Sequence, residues 1–386
     1  MAEFGDTIEL TAPNRDVDAE LDVLRLGFLP LTDCAPLLVA DELGFFSRHD
    51  VSVRLTRLQA WVALRDHIAI GRLDGGQMLS PMPIAAALGL GGIRTDLAVV
   101  AVMARQGNTI TFSEALMGEI AAANPGVDLA AGPLQASAFA AAVVARRARG
   151  AVPPKLAVVF PFSSHNYLLR HWLASAGLDP ELDVDLCAMP PPLVAGELAD
   201  GRIDGFCAGQ PWGSRAVDLR CGRIALTTAD IWPDHPEKVL AVSATRLARR
   251  PEQVAGAVAA MIEAGGWLSD SANHAHAADI LRRRAMPEVP EAVLVQSLGD
   301  SLVRGPDEAP VATSGLRFDA RATYPHPEHA AWWLRQMRRW RHLPQAVSDD
   351  FLAGLWRPDV WRRGADLAGV TAGTPPLPPC PGGDAA

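Results

Sequence analysis

Five short segments carry the polar groups that a small anion requires. They are Ala60-Trp61, Gly107-Asn108-Thr109, Ser163-Ser164-His165, Ala208-Gly209-Gln210-Pro211-Trp212 and His235-Pro236-Glu237-Lys238. A small oxyanion needs one or two cationic or N–H donors, exposed backbone amides, and an apolar wall that keeps water out. Lys238 supplies an ammonium, the Trp61 indole a wall or an N–H, and Ser163 to His165 the free amides of a helix start. Each segment also has a plainer reading. Trp61 suits packing, Ser163 and Ser164 suit helix capping, Lys238 suits a solvated surface, and Gly209-Gln210-Pro211 suits a turn. Covalent chemistry is less well provided for. Asp33-Cys34 offers a thiol, but no motif places a histidine beside it. The chain has no GxSxG, P-loop, HExxH or helix-opening GxGxxG pattern. A binding protein is expected, not an enzyme, and no cofactor or metal site is implied.

These segments need elements to hold them. Residues 24–29 alternate as a strand, and 34–43 carry small and apolar residues at helical spacing up to Gly44. Residues 51–55 read as a second strand and 61–70 as an amphipathic helix. Strand and helix continue to alternate: 97–103 strand, 134–149 helix, 155–160 strand, 167–176 helix, 183–189 strand, 194–201 helix, 205–208 strand. Residues 226–229 are a further short strand candidate. This alternation builds a mostly parallel sheet, whose ligand crevice lies at the strand ends where most of the five segments fall. Beyond Pro251 the pattern is helical, over 252–269, 275–284, 291–302 and 329–340. The segment 235–238 reads as a loop, and the Pro/Gly-rich stretch after Gly369 as a flexible tail.

At 386 residues two lobes are the natural expectation. The net charge of −9 and the lack of long basic runs argue against direct nucleic-acid binding. The most apolar stretch, 78–92, is broken by Pro81 and Pro83, so no membrane span is expected. Residues 1–23 are acidic and polar, without the basic and apolar regions of a secretory signal. The five cysteines are scattered and odd in number, which suits a reducing compartment. A cytoplasmic protein is expected.

The same segments resemble a known family. LRLGFLPLTDCAPLLVADELGFFSRHDVSVRL (24–55) and AWVALRDHIAIGRLDGGQMLSPMPIAAALGLGG (60–92) are similar to the opening of the nitrate- and bicarbonate-binding proteins of the NrtA/CmpA type. The likeness returns in FPFSSHNYLLRHWLASAGLDP (160–180), DGFCAGQPWGSRAV (204–217), HPEKVLAVSA (235–244) and, more weakly, YPHPEHAAWWLRQMRRW (324–340). It implies an α/β, two-lobed type II periplasmic-binding-protein fold with the ligand between the lobes. One lobe would comprise 22–106 and 210–368 and the other 107–209, with 1–21 and 369–386 as flexible tails. Matched by motif, the ligand-facing residues would be Trp61, Asn108, His165, Gly209 and Lys238. In this family the lysine of the HPEK segment goes with nitrate, and an acidic replacement with calcium-assisted bicarbonate. Lys238 therefore implies nitrate or nitrite. Ala208 departs from the hydroxyl residue usual in transporter-type relatives. The acidic N-terminus points to a likeness with the cytoplasmic NasS-type sensors, which implies a NasT-like ANTAR antiterminator as partner. An exported subunit of an ABC importer for nitrate, cyanate or bicarbonate is the alternative.

Overall fold

The computed structural model describes residues 22–129, 132–343, 347–370 and 374–381. In chain order the principal strands are β1 (Val23–Phe28), β2 (Ser52–Arg57), β3 (Gly75–Leu79), β4 (Leu97–Arg105), β5 (Asn108–Ser113), β6 (Lys155–Val158), β7 (Asp185–Ala188), β8 (Gly205–Gly209), β9 (Gly222–Thr227) and β10 (Pro236–Ser243). They form two five-stranded sheets, ordered β2-β1-β3-β10-β4 and β7-β6-β8-β5-β9. In each sheet one strand runs against the rest. β10 is antiparallel to β3 and β4, and β5 is antiparallel to β8 and β9. These two strands are the ones reached by crossing from the other sheet.

The first crossing falls at Gln106-Gly107. Both residues have positive φ, 63° and 85°. Any side chain at position 107 would run into Leu316, so glycine serves both the conformation and the close approach. The second crossing differs from the expected boundary at Gly209. The helix Trp212–Asp218 and β9 stay with the second sheet, and the chain returns only between Thr227 and Pro236. The reason is edge pairing. β8 covers one side of β5, and residues 222–227 pair along the other. The two crossings are tied together: Gln106 N donates to the His235 carbonyl at 3.1 Å, and Gln106 Nε2 to Asp234 Oδ1 at 3.2 Å. Buried Arg105 adds three bonds, to the carbonyls of Ala322, Asp234 and Tyr324 at 2.7, 2.8 and 3.2 Å.

The lobes meet closely. Thr32 N donates to the Gln210 carbonyl at 2.8 Å, and Trp212 Nε1 to the Pro30 carbonyl at 3.0 Å. The helix Pro327–Arg339 continues from the first lobe onto the second. Trp333 Nε1 donates to Ser80 Oγ at 2.9 Å, while His342 Nδ1 and Tyr167 OH lie 3.0 Å apart. Behind the cleft, Trp232, Trp332 and Trp333 pack with ring centroids 4.5 to 5.2 Å apart. Residues 374–381, expected as part of a flexible tail, lie against this region. Pro381 accepts from Trp332 Nε1 at 3.4 Å, and Pro375, Pro376 and Pro378 line a groove beside Arg105. A proline-rich segment loses little chain entropy on docking, which favours its settling on the surface. Residues 1–21, 371–373 and 382–386, the remainder of the two expected tails, lie outside the described residues. No described helix is long and apolar enough to cross a membrane.

Candidate functional site

The site grows from β10. Lys238 and Glu237 are adjacent, so a regular strand would send them to opposite faces. The pairing of β10 with β4 shifts register on both sides of Lys238, and this irregularity re-aims the two side chains. Lys238 Nζ consequently lies 2.6 Å from Glu237 Oε1. On its other side stands Asp33 Oδ2 at 2.9 Å, carried by the 3-10 turn Thr32–Cys34 that follows β1. Gln77 on β3 fixes that turn, donating to Asp33 Oδ1 and accepting from Leu29 N at 2.8 Å. The Trp61 ring, at the first residue of the helix Trp61–Ala69, faces the ammonium at 5.6 Å.

The second lobe supplies the rest. Ser163 caps the helix Ser164–Ser175, its Oγ accepting from Asn166 N at 3.0 Å, as the plain capping reading anticipates. That cap presents His165 in the first turn, with Nε2 3.6 Å from Glu237 Oε1. Asn108 opens β5 directly opposite Gly209, the last residue of β8. A Cβ at Gly209 would stand 3.3 Å from Asn108 Oδ1, 3.4 Å from Asp33 Oδ2 and 2.8 Å from Leu31 Cδ2. Trp61, Asn108, His165, Gly209 and Lys238 thus meet at one place between the lobes. Segment 235–238 is the beginning of the strand between β3 and β4 and not a loop. Lys238 is accordingly no surface charge: it is fully buried, as are His165 and Glu237.

Burial sets the electrostatics. Burial opposes the charge on Lys238, but Asp33 and Glu237 outweigh it and hold the ammonium above its usual range. Burial pushes the Asp33 carboxyl up, against the pull of Lys238. Burial acts in the same direction on Glu237, yet Lys238, helped by a hydrogen bond from His235, holds it well below the usual carboxylate range. His165 is pushed down to about 3 by burial, despite Glu237 beside it, and is neutral. Several buried groups lack a hydrogen-bond partner among the described residues: Trp61 Nε1, Asn108 Nδ2, Ser164 Oγ and both ring nitrogens of His165, one of which carries the N–H of the neutral ring. Unpaired buried donors are costly, and their presence on both sides of a buried ammonium suits an acceptor-rich guest. Outside it lies a cavity of about 370 Å³, lined from one lobe by Trp61 and Val62 and from the other by Phe160, Phe162 and Met189.

Asp33 and Glu237 are the residues that sequence reasoning missed. Asp33 attracted notice only as a neighbour of Cys34, whose buried thiol is raised far above its usual range and is inert. Glu237 adjoins Lys238, but only the strand irregularity makes them partners. Among the described residues no group of three or more potential ligands is arranged to hold a metal ion.

The comparisons with known proteins agree with this architecture. The NMT1-like family matches residues 18–282. The chain is 36% identical to the nitrate import ATP-binding protein NrtC of Synechocystis sp., over 83% of this chain but only 46% of that protein. The chain therefore spans about half the length of that relative. It is 29% identical to the bicarbonate-binding protein CmpA of Synechococcus elongatus, over 92% of this chain and 80% of the relative. Among solved structures, the periplasmic nitrate-binding protein NrtA of Synechocystis PCC 6803 superposes with a TM-score of 0.83 at 26% identity, covering 92% of this chain and 91% of that one. With its two crossed-over sheets enclosing a buried polar site, the chain has the two-lobed periplasmic-binding-protein fold and belongs to the NMT1-like family, alongside the nitrate- and bicarbonate-binding proteins.

Proposed function

We propose that the chain binds nitrate or nitrite between its lobes. The observation that carries this reading is a buried ammonium between the lobes, Lys238, with unpaired buried donors contributed by both of them. Nitrate is a planar monoanion with three weak acceptor oxygens, suited to one ammonium and several neutral N–H and O–H donors. Trp61 and Lys238 come from one lobe, Asn108, Ser164 and His165 from the other. An anion bridging them favours the closed form, in which donors from both lobes are presented together. Calorimetry with nitrate, nitrite, and bicarbonate with and without calcium tests the assignment. Saturable binding of nitrate or nitrite without calcium is the expected outcome. Binding of bicarbonate alone would transfer the site to the CmpA-like ligand.

The names of the relatives support a role as the substrate-binding component of an import system. A second reading is favoured by the five unpaired cysteines, which suit a reducing compartment. In that reading the chain is a cytoplasmic sensor whose closure on nitrate or nitrite controls an ANTAR-type antiterminator of the NasT kind. Co-expression with such a protein distinguishes the two. A complex that nitrate dissociates identifies the sensor, and absence of any complex leaves the importer component.

A further inference from the structure

The charges around Lys238 do not balance for an anion. One ammonium already meets two carboxylates, Asp33 Oδ2 at 2.9 Å and Glu237 Oε1 at 2.6 Å, and all three groups are buried. Four other titratable groups face this cluster, and three of them bring no charge. His165, on the helix Ser164–Ser175, is neutral. Cys34 beside Asp33 and Cys207 on β8 are thiols that burial holds in the protonated form. His235, at the start of β10, has Nδ1 2.8 Å from the Trp232 carbonyl and Nε2 3.2 Å from Thr228 Oγ1. Its Nε2 stands 3.5 Å from Glu237 Oε2. An incoming monoanion makes a third negative charge beside one ammonium, in a buried place where charge is weakly screened.

We propose that nitrate or nitrite enters this cleft together with one proton from solvent, and that Asp33 takes it. The inference rests on the anion-binding reading above and names how the same site achieves neutrality. The bookkeeping is simple: one anion and one proton go in, no bond in the anion changes, and the cluster keeps the net charge it had before. Asp33 is the better placed of the two carboxylates. Glu237 has Lys238 at 2.6 Å and the ring nitrogens of His165 and His235 at 3.6 and 3.5 Å, whereas Asp33 meets Lys238 and Gln77. Burial has already moved Asp33 towards protonation. Its Oδ2 also faces the second lobe, on the side of Gly209 and Asn108. A protonated Oδ2 becomes a donor where a carboxylate would repel, so proton and anion bind cooperatively.

The test is calorimetry of nitrate and nitrite binding in two cationic amine buffers of different ionisation enthalpy, at about pH 6 and about pH 8. The difference in heat between buffers counts protons taken up. Uptake of about one proton per anion at the higher pH is expected, with affinity falling by about tenfold per pH unit above the Asp33 value. Asp33→Asn, which supplies a permanent neutral donor, is expected to bind without uptake and with affinity flat in pH. Tight binding by the wild type with no proton uptake overturns the inference while leaving the anion site standing. Uptake that persists in Asp33→Asn and vanishes in His165→Asn overturns the assignment to Asp33. No binding at either pH overturns the anion-binding reading and this inference with it.

Discussion

At the residue scale, Lys238 holds the centre because it satisfies two buried carboxylates as well as facing the cleft. Lys238→Glu places a third carboxylate among them and is expected to abolish nitrate binding, read by calorimetry. Lys238→Met removes the charge that the carboxylates rely on, and loss of one partner of a buried ion pair costs about 3–5 kcal/mol. Its urea midpoint should fall accordingly, and an unchanged midpoint would show that the carboxylates do not need the lysine. His165 gives a pH signature. Burial holds it at about 3 in the folded protein, against 6.5 in the unfolded chain. Between those values the unfolded chain takes up a proton that the folded one refuses, so stability falls as pH drops from about 6.5 towards 3. His165→Asn should flatten that part of the stability–pH curve, and an unaltered slope would assign it to other groups. Residue type marks the segments and the family resemblance picks the five candidates from them, but neither shows their depth. Lys238 was most simply a surface charge, and only the strand around it makes it a buried one.

At the element scale, legibility followed periodicity. Helices such as Ala136–Ala148 and Pro251–Leu268 and the buried strand β4 stand where apolar spacing put them. The failures share a physical cause. β5 (NTITFS), to which the sequence assigns no element, and the start of β10 (PEK), which reads as loop, are both polar at the ends that enter the cleft although their backbones pair on both sides. Strands that carry a binding site break the local rule that identifies strands. The same two elements form the crossings, pinned by Arg105 through three backbone carbonyls. Hydrogen bonds from a charged donor contribute about 1.5–3 kcal/mol each when their loss strands a buried acceptor. Arg105→Ala is therefore expected to lower the melting temperature by several degrees and to weaken nitrate binding together with it. A stability loss with unchanged affinity would show that the crossings do not set the geometry of the cleft.

At the scale of the whole molecule, the fold brings together residues separated by some two hundred positions, and closure buries them. Trp61 and Asn108 are each 1% exposed, although they belong to different lobes. Bonds such as Trp212 Nε1 to the Pro30 carbonyl hold the lobes in that arrangement. Two lobes were legible from length and alternation. The return crossing was misplaced because it depends on which edge of β5 is covered, a long-range pairing that no local pattern encodes. Gly209 is a point of close approach between the lobes, where a Cβ would meet Leu31 and Asp33. Gly209→Leu should block closure through Leu31 and Asp33, leaving the folded lobes intact but the radius of gyration, measured by small-angle scattering, insensitive to nitrate. Compaction of this variant by nitrate, equal to that of the wild type, would remove Gly209 from the contact between the lobes.

The most direct measurement is a crystal structure grown with saturating nitrate. One planar anion is expected between the lobes, within hydrogen-bond distance of Lys238 Nζ and of donors from both sides, including Trp61 Nε1 and His165. An anion seated elsewhere, or a fully closed cleft that excludes nitrate while Lys238 keeps both carboxylates, would contradict the account.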